Sequence, residues 1–377
     1  MTITPRQRVL KALDHQVADR VPIDFGSTNN TGITAPAYER LKEYLGVNQE
    51  TRIYDRMQQL VYVDEEVLQR FSVDTRGLIL KGPENTLDEE LPDNSYRDEW
   101  GIVRRQPQDS PYFDLVYSPF GEEMTSQLLD RHPWPDPKDP GRFRGLKEEA
   151  AHWRSHGDYA IVLQLRGGFI GQAQALRGFE NWFMDLLLQP ELLGELLDRT
   201  LDFAMKVASQ AVAQVGDNVD ILGYGDDIGM QTGPMFSPEV YRQVIKPRQA
   251  KFIDHLKTIS GGKKVLYHSC GSIFDLMDDL IEIGVDAYNP VQTTAHKMDL
   301  VELKKRFGDR ITFWGGVDTH RILNKGSVDE VRRETRRVMD ILSPEGGFVL
   351  NSVHNIQPDV PPENICAMFD EAVSFQK

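Results

Sequence analysis

The chain has very few cysteines and no long apolar run. Only Cys270 and Cys366 occur among its 377 residues. We therefore expect no disulfide framework and a protein that resides in a reducing compartment. No apolar stretch reaches the roughly 18 residues of a membrane span, and residues 1–6 lack the apolar core of a signal peptide. The sequence therefore predicts a cytoplasmic protein that does not act in a membrane.

Positive charge is also scarce. The chain has 43 Lys and Arg residues against 58 Asp and Glu residues, which gives a formal net charge of −15. An acidic surface of this kind disfavours binding to nucleic acid and to anionic membranes, so neither is an expected partner. The hydrophobic share of 40% and the charged share of 27% are those of an ordinary globular protein.

From about residue 160 onward, short β-rich runs alternate with amphipathic helical patterns. This alternation is typical of βα units around a parallel sheet. The clearest helical pattern spans residues 190–215, and its apolar residues recur with a period of about 3.6. A second predicted helix begins at Ser272 and ends near Gly284. The predicted strands are residues 161–165, 220–224, 265–267, 287–289, 311–314 and 348–350.

The N-terminal part predicts a capped helix over residues 4–13 and a first strand over residues 21–25. Residues of about 75–145 then interrupt the alternation. They are rich in Pro, Asp and Tyr, which indicates hairpins and loops inserted into the domain. A chain of 377 residues lies within the range of one barrel with insertions.

The most informative motif is His268-Ser269-Cys270, which ends a short apolar run. Residues i and i+2 of a strand face the same way, with Cα atoms about 6.6–6.8 Å apart, so an imidazole and a thiolate there can reach one metal ion. The pair alone is explained equally well by packing, since a buried cysteine commonly behaves as a small hydrophobe and a histidine is often satisfied by a backbone carbonyl.

Further candidate ligands follow two other predicted strands. His354 comes shortly after residues 347–350, and Asp226 and Asp227 come directly after residues 219–225. A thiolate, two imidazoles and a carboxylate suit zinc, and a labile carboxylate leaves an open position for substrate. The sequence thus predicts a zinc site of His268, Cys270 and His354, with Asp226 or Asp227 as fourth ligand or proton handler.

Other side chains at or near the ends of predicted strands are candidates for binding substrate, because the working residues of βα barrels cluster there. For Asn289 and Asp318, capping of the next helix is an equal explanation. The side chains that we expect to line the substrate pocket are Asp24, Asn29, Gln164, Arg166, Tyr224, Met230, Trp314 and Asn351.

Several motifs together resemble the uroporphyrinogen decarboxylase superfamily over essentially the whole chain. They lie in residues 4–13, 19–22, 175–181, 267–271 and 346–364. The resemblance implies an α/β fold with a single (β/α)8 TIM-type barrel over residues 1–377. This barrel would carry an N-terminal helix and an inserted hairpin and loop region at about 75–145.

Two differences indicate the branch of the superfamily. In the N-terminal strand, decarboxylases have a pattern similar to P-x-W-x-M-R-Q-A-G-R, whose two arginines hold substrate carboxylates. In this chain Ser27 stands at the first arginine position and Thr31 at the second. A porphyrinogen would lose charged contacts worth roughly 1.5–3 kcal/mol each. The His-x-Cys-Gly motif is instead similar to the zinc element of methylcobamide-dependent methyltransferases. In those methyltransferases the third ligand is commonly a cysteine near the C-terminus, and His354 stands at the matching position here. His354 also resembles a histidine of the decarboxylases. A ligand role and a substrate-facing role are therefore both open for it.

The resemblance implies a corrinoid-dependent, zinc-activated methyltransferase of the O-demethylase kind. Such an enzyme would move a methyl group between a small O-methyl or S-methyl substrate and a corrinoid (cobalamin) carried by a partner protein. One alternative is a metal-independent decarboxylase of a small carboxylic acid, with Arg166 as a cationic clamp. Another is a barrel that binds a corrinoid or a metal without catalysis.

Overall fold

The computed structural model describes residues 3–108, 110, 112–165 and 168–375. Strands and helices alternate over most of this length. The strands are β1 (Ile53–Asp55), β2 (Leu60–Val61), β3 (Thr75–Ile79), β4 (Glu89–Leu91), β5 (Ser95–Arg97), β6 (Val103–Arg105), β7 (Asp114–Tyr117), β8 (Ala160–Gln164), β9 (Ile221–Gly225), β10 (Gly229–Met230), β11 (Gly233–Pro234), β12 (Lys264–His268), β13 (Ala287–Asn289), β14 (Thr312–Val317) and β15 (Phe348–Ser352).

The helices agree well with the sequence patterns. Thr4 caps the first helix through a capping box with Gln7, and the long helix begins and ends where its apolar stripe predicts. The α-helices are α1 (Pro5–Leu13), α2 (Ala35–Leu45), α3 (Glu65–Arg70), α4 (Ser126–Arg131), α5 (Leu146–His156), α6 (Phe169–Arg177), α7 (Phe179–Leu188), α8 (Pro190–Val215), α9 (Pro238–Val240), α10 (Lys246–Ser260), α11 (Met277–Glu282), α12 (Leu300–Phe307), α13 (Val328–Leu342) and α14 (Pro362–Ser374).

Short turns complete the helical structure. The helix predicted from Ser272 to Gly284 is divided into a 3-10 turn at Phe274–Leu276 and α11. The remaining 3-10 turns are Asn29–Thr31, Pro140–Phe143 and Gly216–Asn218, and Tyr241–Ile245 forms one π-helical turn.

Seven parallel strands form the wall of a barrel in the order β3-β8-β9-β12-β13-β14-β15. Ile23 closes this wall between its two edges, because it forms a parallel bridge with Leu350 and its carbonyl accepts a 2.8 Å hydrogen bond from the Asp74 backbone N–H. The arrangement confirms the TIM-type barrel. The predicted first strand, residues 21–25, is reduced to this one bridge, and Pro22 within it has no N–H to extend the ladder.

The inserted region begins later than the sequence suggested. Thr75–Ile79 is barrel strand β3, paired in parallel with β8, so the insertion starts after Ile79 rather than at about residue 75. Its main element is an antiparallel sheet in the order β4-β5-β6-β7. This small sheet stands beside the mouth of the barrel, where Trp100 and Arg104 reach a cleft described below.

Helix α1 closes the end of the barrel opposite its mouth. Val9, Ala12 and Leu13 pack with inward-facing side chains such as Val162 and Leu266 in a small apolar cluster inside the barrel. The larger apolar core lies between the strands and the outer helices. Among the described residues, no helix is long and apolar enough to cross a membrane.

Candidate metal centre

Three side chains with metal-binding atoms converge at the mouth of the barrel. His268 is the last residue of β12, Cys270 follows two positions later, and His354 lies just beyond β15. Their ligand atoms all lie within 4.8 Å of one another, and Cys270 Sγ is 3.4 Å from His268 Nε2. The fold thus brings together all three residues of the predicted ligand set, with the two nitrogens and one sulfur that a zinc site uses.

His268 is oriented by its neighbours on both adjacent strands. Its Nδ1 lies 2.6 Å from Asn289 Oδ1, and the Asn289 carboxamide is itself oriented by a 3.0 Å hydrogen bond from Nδ2 to the Trp314 carbonyl. On the other side, Gly225 pairs with His268, and a Cβ there would lie 2.9 Å from His268 Cβ. Since Asn289 Oδ1 can only accept, His268 donates Nδ1–H and keeps the lone pair of Nε2 for the centre.

His354 is held in the same way. Its Nδ1 lies 2.7 Å from Asn355 Oδ1, and Asn355 Nδ2 donates to Gln58 Oε1 over 2.8 Å. Nδ1 of each imidazole therefore contacts the carboxamide oxygen of its own asparagine partner, Asn289 for His268 and Asn355 for His354. Contacts of this kind fix the tautomer of metal-binding histidines and aim the free nitrogen at the ion.

Burial sets the protonation of the three groups. It lowers the pKa of His268, and it lowers the pKa of His354 to about 4, with the neighbouring His268 adding to the effect. Burial also raises the pKa of the Cys270 thiol, and the carboxylate of Asp227 raises it further. At neutral pH the site therefore holds two neutral imidazoles and a thiol that must lose its proton to bind a metal. This donor set fits a zinc ion.

The two aspartates that follow β9 have different positions. Asp226 is buried, and its Oδ1 accepts a 2.8 Å hydrogen bond from the Gly171 backbone in the first turn of α6. Burial raises the pKa of this carboxyl to about 7. Asp227 is half-exposed, its Oδ1 lies 3.7 Å from His268 Nε2, and the same oxygen accepts from the Cys270 backbone N–H over 2.7 Å. Of the two predicted candidates, Asp227 is therefore the one beside the centre.

A cleft of about 860 Å³ leads from the two histidines to the inserted sheet. Asn29 and Gln164, both predicted to bind substrate, line it beside Asp227. The far part is walled by Trp100 on the insertion and Phe203 on α8. The cleft thus joins a polar end at the metal centre to an aromatic end at the insertion.

Other predicted pocket residues lie elsewhere. Trp314 and Asn351 are buried inside the barrel, where Trp314 Nε1 donates to Asp24 Oδ2 over 2.8 Å and Asn351 Nδ2 donates to the Asp24 carbonyl over 2.7 Å. Tyr224 points outward and packs against the rings of Tyr267 and Phe252.

In the described part of the chain, Asp24, Tyr224, Trp314 and Asn351, all predicted to line the pocket, do not line the cleft. The reason differs among them: the alternation of side chains along a strand turns Tyr224 outward, whereas Trp314 and Asn351 face inward but are buried in hydrogen bonds to Asp24. Met230 is exposed on β10, also away from the cleft lining. Arg166 lies outside the described residues.

Two contacts that shape the centre were not predicted from the sequence. Asn30 Nδ2 lies 3.0 Å from His268 Nε2, and Asn355 orients His354. Asn30 belongs to a turn of the first barrel segment, so no spacing rule links it to residue 268. Asn355 is adjacent to a predicted ligand, which is the one signal that could have indicated it.

Replacing Asn289 by leucine is expected to lower zinc affinity about 10–100-fold, the usual loss when a partner that orients a histidine ligand is removed. The reason is that His268 loses the acceptor for its Nδ1–H. Competition with a chromophoric chelator measures this effect. The matched control is Asn364→Leu, since Asn364 is also a buried carboxamide that donates to backbone carbonyls. Equal zinc affinity in Asn289→Leu and the wild type would contradict the assignment.

Comparison with known proteins identifies the family and the fold. A family model described as uroporphyrinogen decarboxylase (URO-D) matches residues 158–375. A uroporphyrinogen decarboxylase of Alkalilimnicola ehrlichii is 24% identical over 387 aligned residues, which cover 98% of this chain and 94% of the relative. A methylcobamide:CoM methyltransferase MtaA of Methanosarcina barkeri is 26% identical over 176 residues, which are 46% of this chain and 48% of that protein.

The match to MtaA thus spans about half of each chain. Among solved structures, a methyltransferase from Methanosarcina mazei has a TM-score of 0.67 and 19% identity, with 99% of both chains covered. This likeness confirms the fold. Because the family model covers more than half of the sequence, the chain belongs to the uroporphyrinogen decarboxylase (URO-D) family.

Proposed function

We propose that the protein is a zinc-dependent methyltransferase that moves a methyl group between a small O-methyl or S-methyl substrate and a corrinoid on a partner protein. The observation that carries the proposal is the convergence of two imidazole nitrogens and one thiol at the barrel mouth. The similarity to a methylcobamide:CoM methyltransferase supports the type of reaction. The likeness to decarboxylases is equally real, so the proposal depends on the chemistry of this site.

In the proposed site, the metal would be held by His268 Nε2, His354 Nε2 and Cys270 Sγ. Zinc bound there would act as a Lewis acid that stabilises negative charge on the oxygen or sulfur losing or gaining the methyl group. Cys270 enters as a thiolate and contributes the one negative charge among these three ligands. The two neutral imidazoles keep the total charge low, which preserves the attraction between the metal and an anionic heteroatom.

Asp227 is the residue best placed to serve the substrate. Its half-exposed carboxylate borders the cleft and lies 3.7 Å from His268 Nε2. We assign it either the fourth ligand position or the acceptor of a proton from an incoming hydroxyl or thiol group. Asp226 has a positioning role, because its carboxylate accepts from backbone N–H groups at the start of α6.

The first barrel segment favours a methyltransferase over a decarboxylase of a polycarboxylate. Ser27 and Thr31 stand at the two positions where the motif of the decarboxylases has arginines. Both residues are buried. Thr31 Oγ1 is hydrogen bonded within its own turn, to Thr28. Neither side chain can neutralise a substrate carboxylate, so we do not expect turnover of uroporphyrinogen.

The deciding experiment supplies free cob(I)alamin in place of the partner protein, together with candidate aryl methyl ethers and thioethers. Zinc-loaded wild type is expected to convert cob(I)alamin to methylcobalamin, which is followed by absorbance, and chelator treatment is expected to stop the reaction. Uroporphyrinogen is tested in parallel. Full zinc occupancy without methyl transfer from any donor, or decarboxylation without zinc, would refute the proposal.

A further inference from the structure

Asn30 occupies a fixed position beside the metal centre. It lies in the Asn29–Thr31 turn, which is tied to barrel strand β15 by a 3.3 Å hydrogen bond from Asn351 Nδ2 to the Thr31 carbonyl. Its side chain lines the cleft, and its Nδ2 lies 3.0 Å from His268 Nε2. The carboxamide is thus presented to the imidazole from a separate part of the chain.

A chain of hydrogen bonds fixes which atom of Asn30 faces His268. The Trp314 carbonyl accepts from Asn289 Nδ2, so Asn289 turns its oxygen to His268 Nδ1. His268 then donates from Nδ1 and accepts at Nε2. Only the N–H side of the Asn30 carboxamide can satisfy an accepting nitrogen, so Asn30 is the donor in this contact.

The same lone pair is the one that the proposed metal needs. Nε2 has a single lone pair in its ring plane, and Cys270 Sγ lies 3.4 Å from it. A zinc ion binds imidazole nitrogen at about 2.0–2.1 Å. An ion at that distance and an N–H donor at 3.0 Å cannot both use one lone pair.

We propose that Asn30 competes with the metal ion for the lone pair of His268 Nε2 and, when the ion holds that lone pair, donates its N–H to the heteroatom of the substrate. This inference rests on the proposed function. It makes Asn30 a residue with two opposed effects. Its hydrogen bond to His268 would weaken metal binding, and its position beside the same nitrogen would let it stabilise negative charge on the oxygen or sulfur of the substrate.

The first test measures Zn²⁺ affinity alone, by chelator competition. Asn30→Ala is expected to bind zinc about five- to tenfold more tightly than wild type, which is the worth of one ordinary hydrogen bond. Asn48→Ala, at an exposed asparagine away from the cleft, is the matched control and should leave the affinity unchanged. Damage to the fold would lower the affinity, so a rise cannot be explained by a merely structural role.

The second test uses cobalt-loaded protein and ethanethiol, with the sulfur-to-cobalt absorption band as readout. Asn30→Ala is expected to bind the thiolate about fivefold more weakly, since one donated hydrogen bond is lost. Asn30→Asp is expected to bind metal more tightly than wild type and thiolate more weakly than Asn30→Ala. An added carboxylate attracts the cation and repels the anion.

The outcomes separate this inference from the proposed function. Suppose that the wild type binds both zinc and thiol. If Asn30→Ala then leaves both affinities unchanged, or lowers the metal affinity, the role of Asn30 is overturned and the proposed function stands. Wild type that binds no zinc overturns both. Opposite changes in metal and thiol affinity support the inference.

Discussion

Cys270→Ser is expected to reduce zinc binding from about one ion per chain to almost none. Cys270 supplies the single thiolate of the predicted ligand set, and the two imidazoles beside it are neutral because burial lowers the pKa of each. A serine hydroxyl stays protonated at neutral pH and offers no charge. The loss of affinity should therefore exceed the roughly 10–100-fold caused by removing an orienting partner.

Metal analysis of protein purified under reducing conditions without chelator measures this effect. Cys366→Ser is the matched control, because Cys366 is the other cysteine of the chain and is buried on α14. His354→Ala should weaken zinc binding less than Cys270→Ser, since it removes a neutral ligand. Full zinc content in Cys270→Ser would show that the three side chains converge for another reason, and a substrate-facing role would then be the better explanation.

Much of the fold could be predicted from the sequence because strands covered on both faces form short apolar runs. The strands predicted around His268 and Trp314 lie in the barrel with small shifts at their ends. Strand β3 was missed because its sequence contains Arg76 and Gly77. Tertiary contacts make both acceptable. Arg76 is buried against Glu65, with its guanidinium 3.6 Å from the Tyr159 ring centroid, and Gly77 lets the Ser27 backbone approach closely.

The candidate site could be predicted only in part. His268 and Cys270 are linked by strand spacing, and His354 lies at the end of another strand of the same sheet. Their positions in the sequence are therefore enough to predict that the three side chains converge. Asn289 contacts His268 from the neighbouring strand, and Asn30 contacts it from a turn of the first barrel segment. The Asn289 contact depends on the register between strands and the Asn30 contact on the course of a turn, and the residue pattern of a single strand specifies neither.

The segment Asp19-Arg20-Val21-Pro22, part of the family resemblance, has a structural explanation at the closed end of the barrel. Asp74 is fully buried there and accepts from Arg8 Nη1 over 2.5 Å and from Arg20 Nη1 over 2.7 Å. Its Oδ2 also accepts from the Ile23 backbone N–H over 2.8 Å. One carboxylate thus joins α1, the loop after it and the segment that closes the barrel.

Asp74→Ala is expected to destabilise the protein by about 3–5 kcal/mol, because it leaves buried arginine charge without its main partner. Urea unfolding measures the free energy of unfolding. Asp19→Ala is the matched control, since Asp19 also binds Arg8 but its side chain is 39% exposed, and removing an exposed partner should cost less than about 1 kcal/mol.

The effect of Asp74→Ala should be confined to stability. Asp74 precedes β3, at the closed end of the barrel, whereas His268 ends β12, at the mouth. The fraction that remains folded is therefore expected to bind zinc with wild-type affinity. A loss of less than about 1 kcal/mol in Asp74→Ala, as expected for Asp19→Ala, would show that Asp74 does not hold the barrel closed. A loss of zinc affinity in folded Asp74→Ala would instead show that closure at Ile23 also positions Asn30 and the metal centre. The Ile23–Leu350 bridge and the Asn29–Thr31 turn belong to the same segment of the chain.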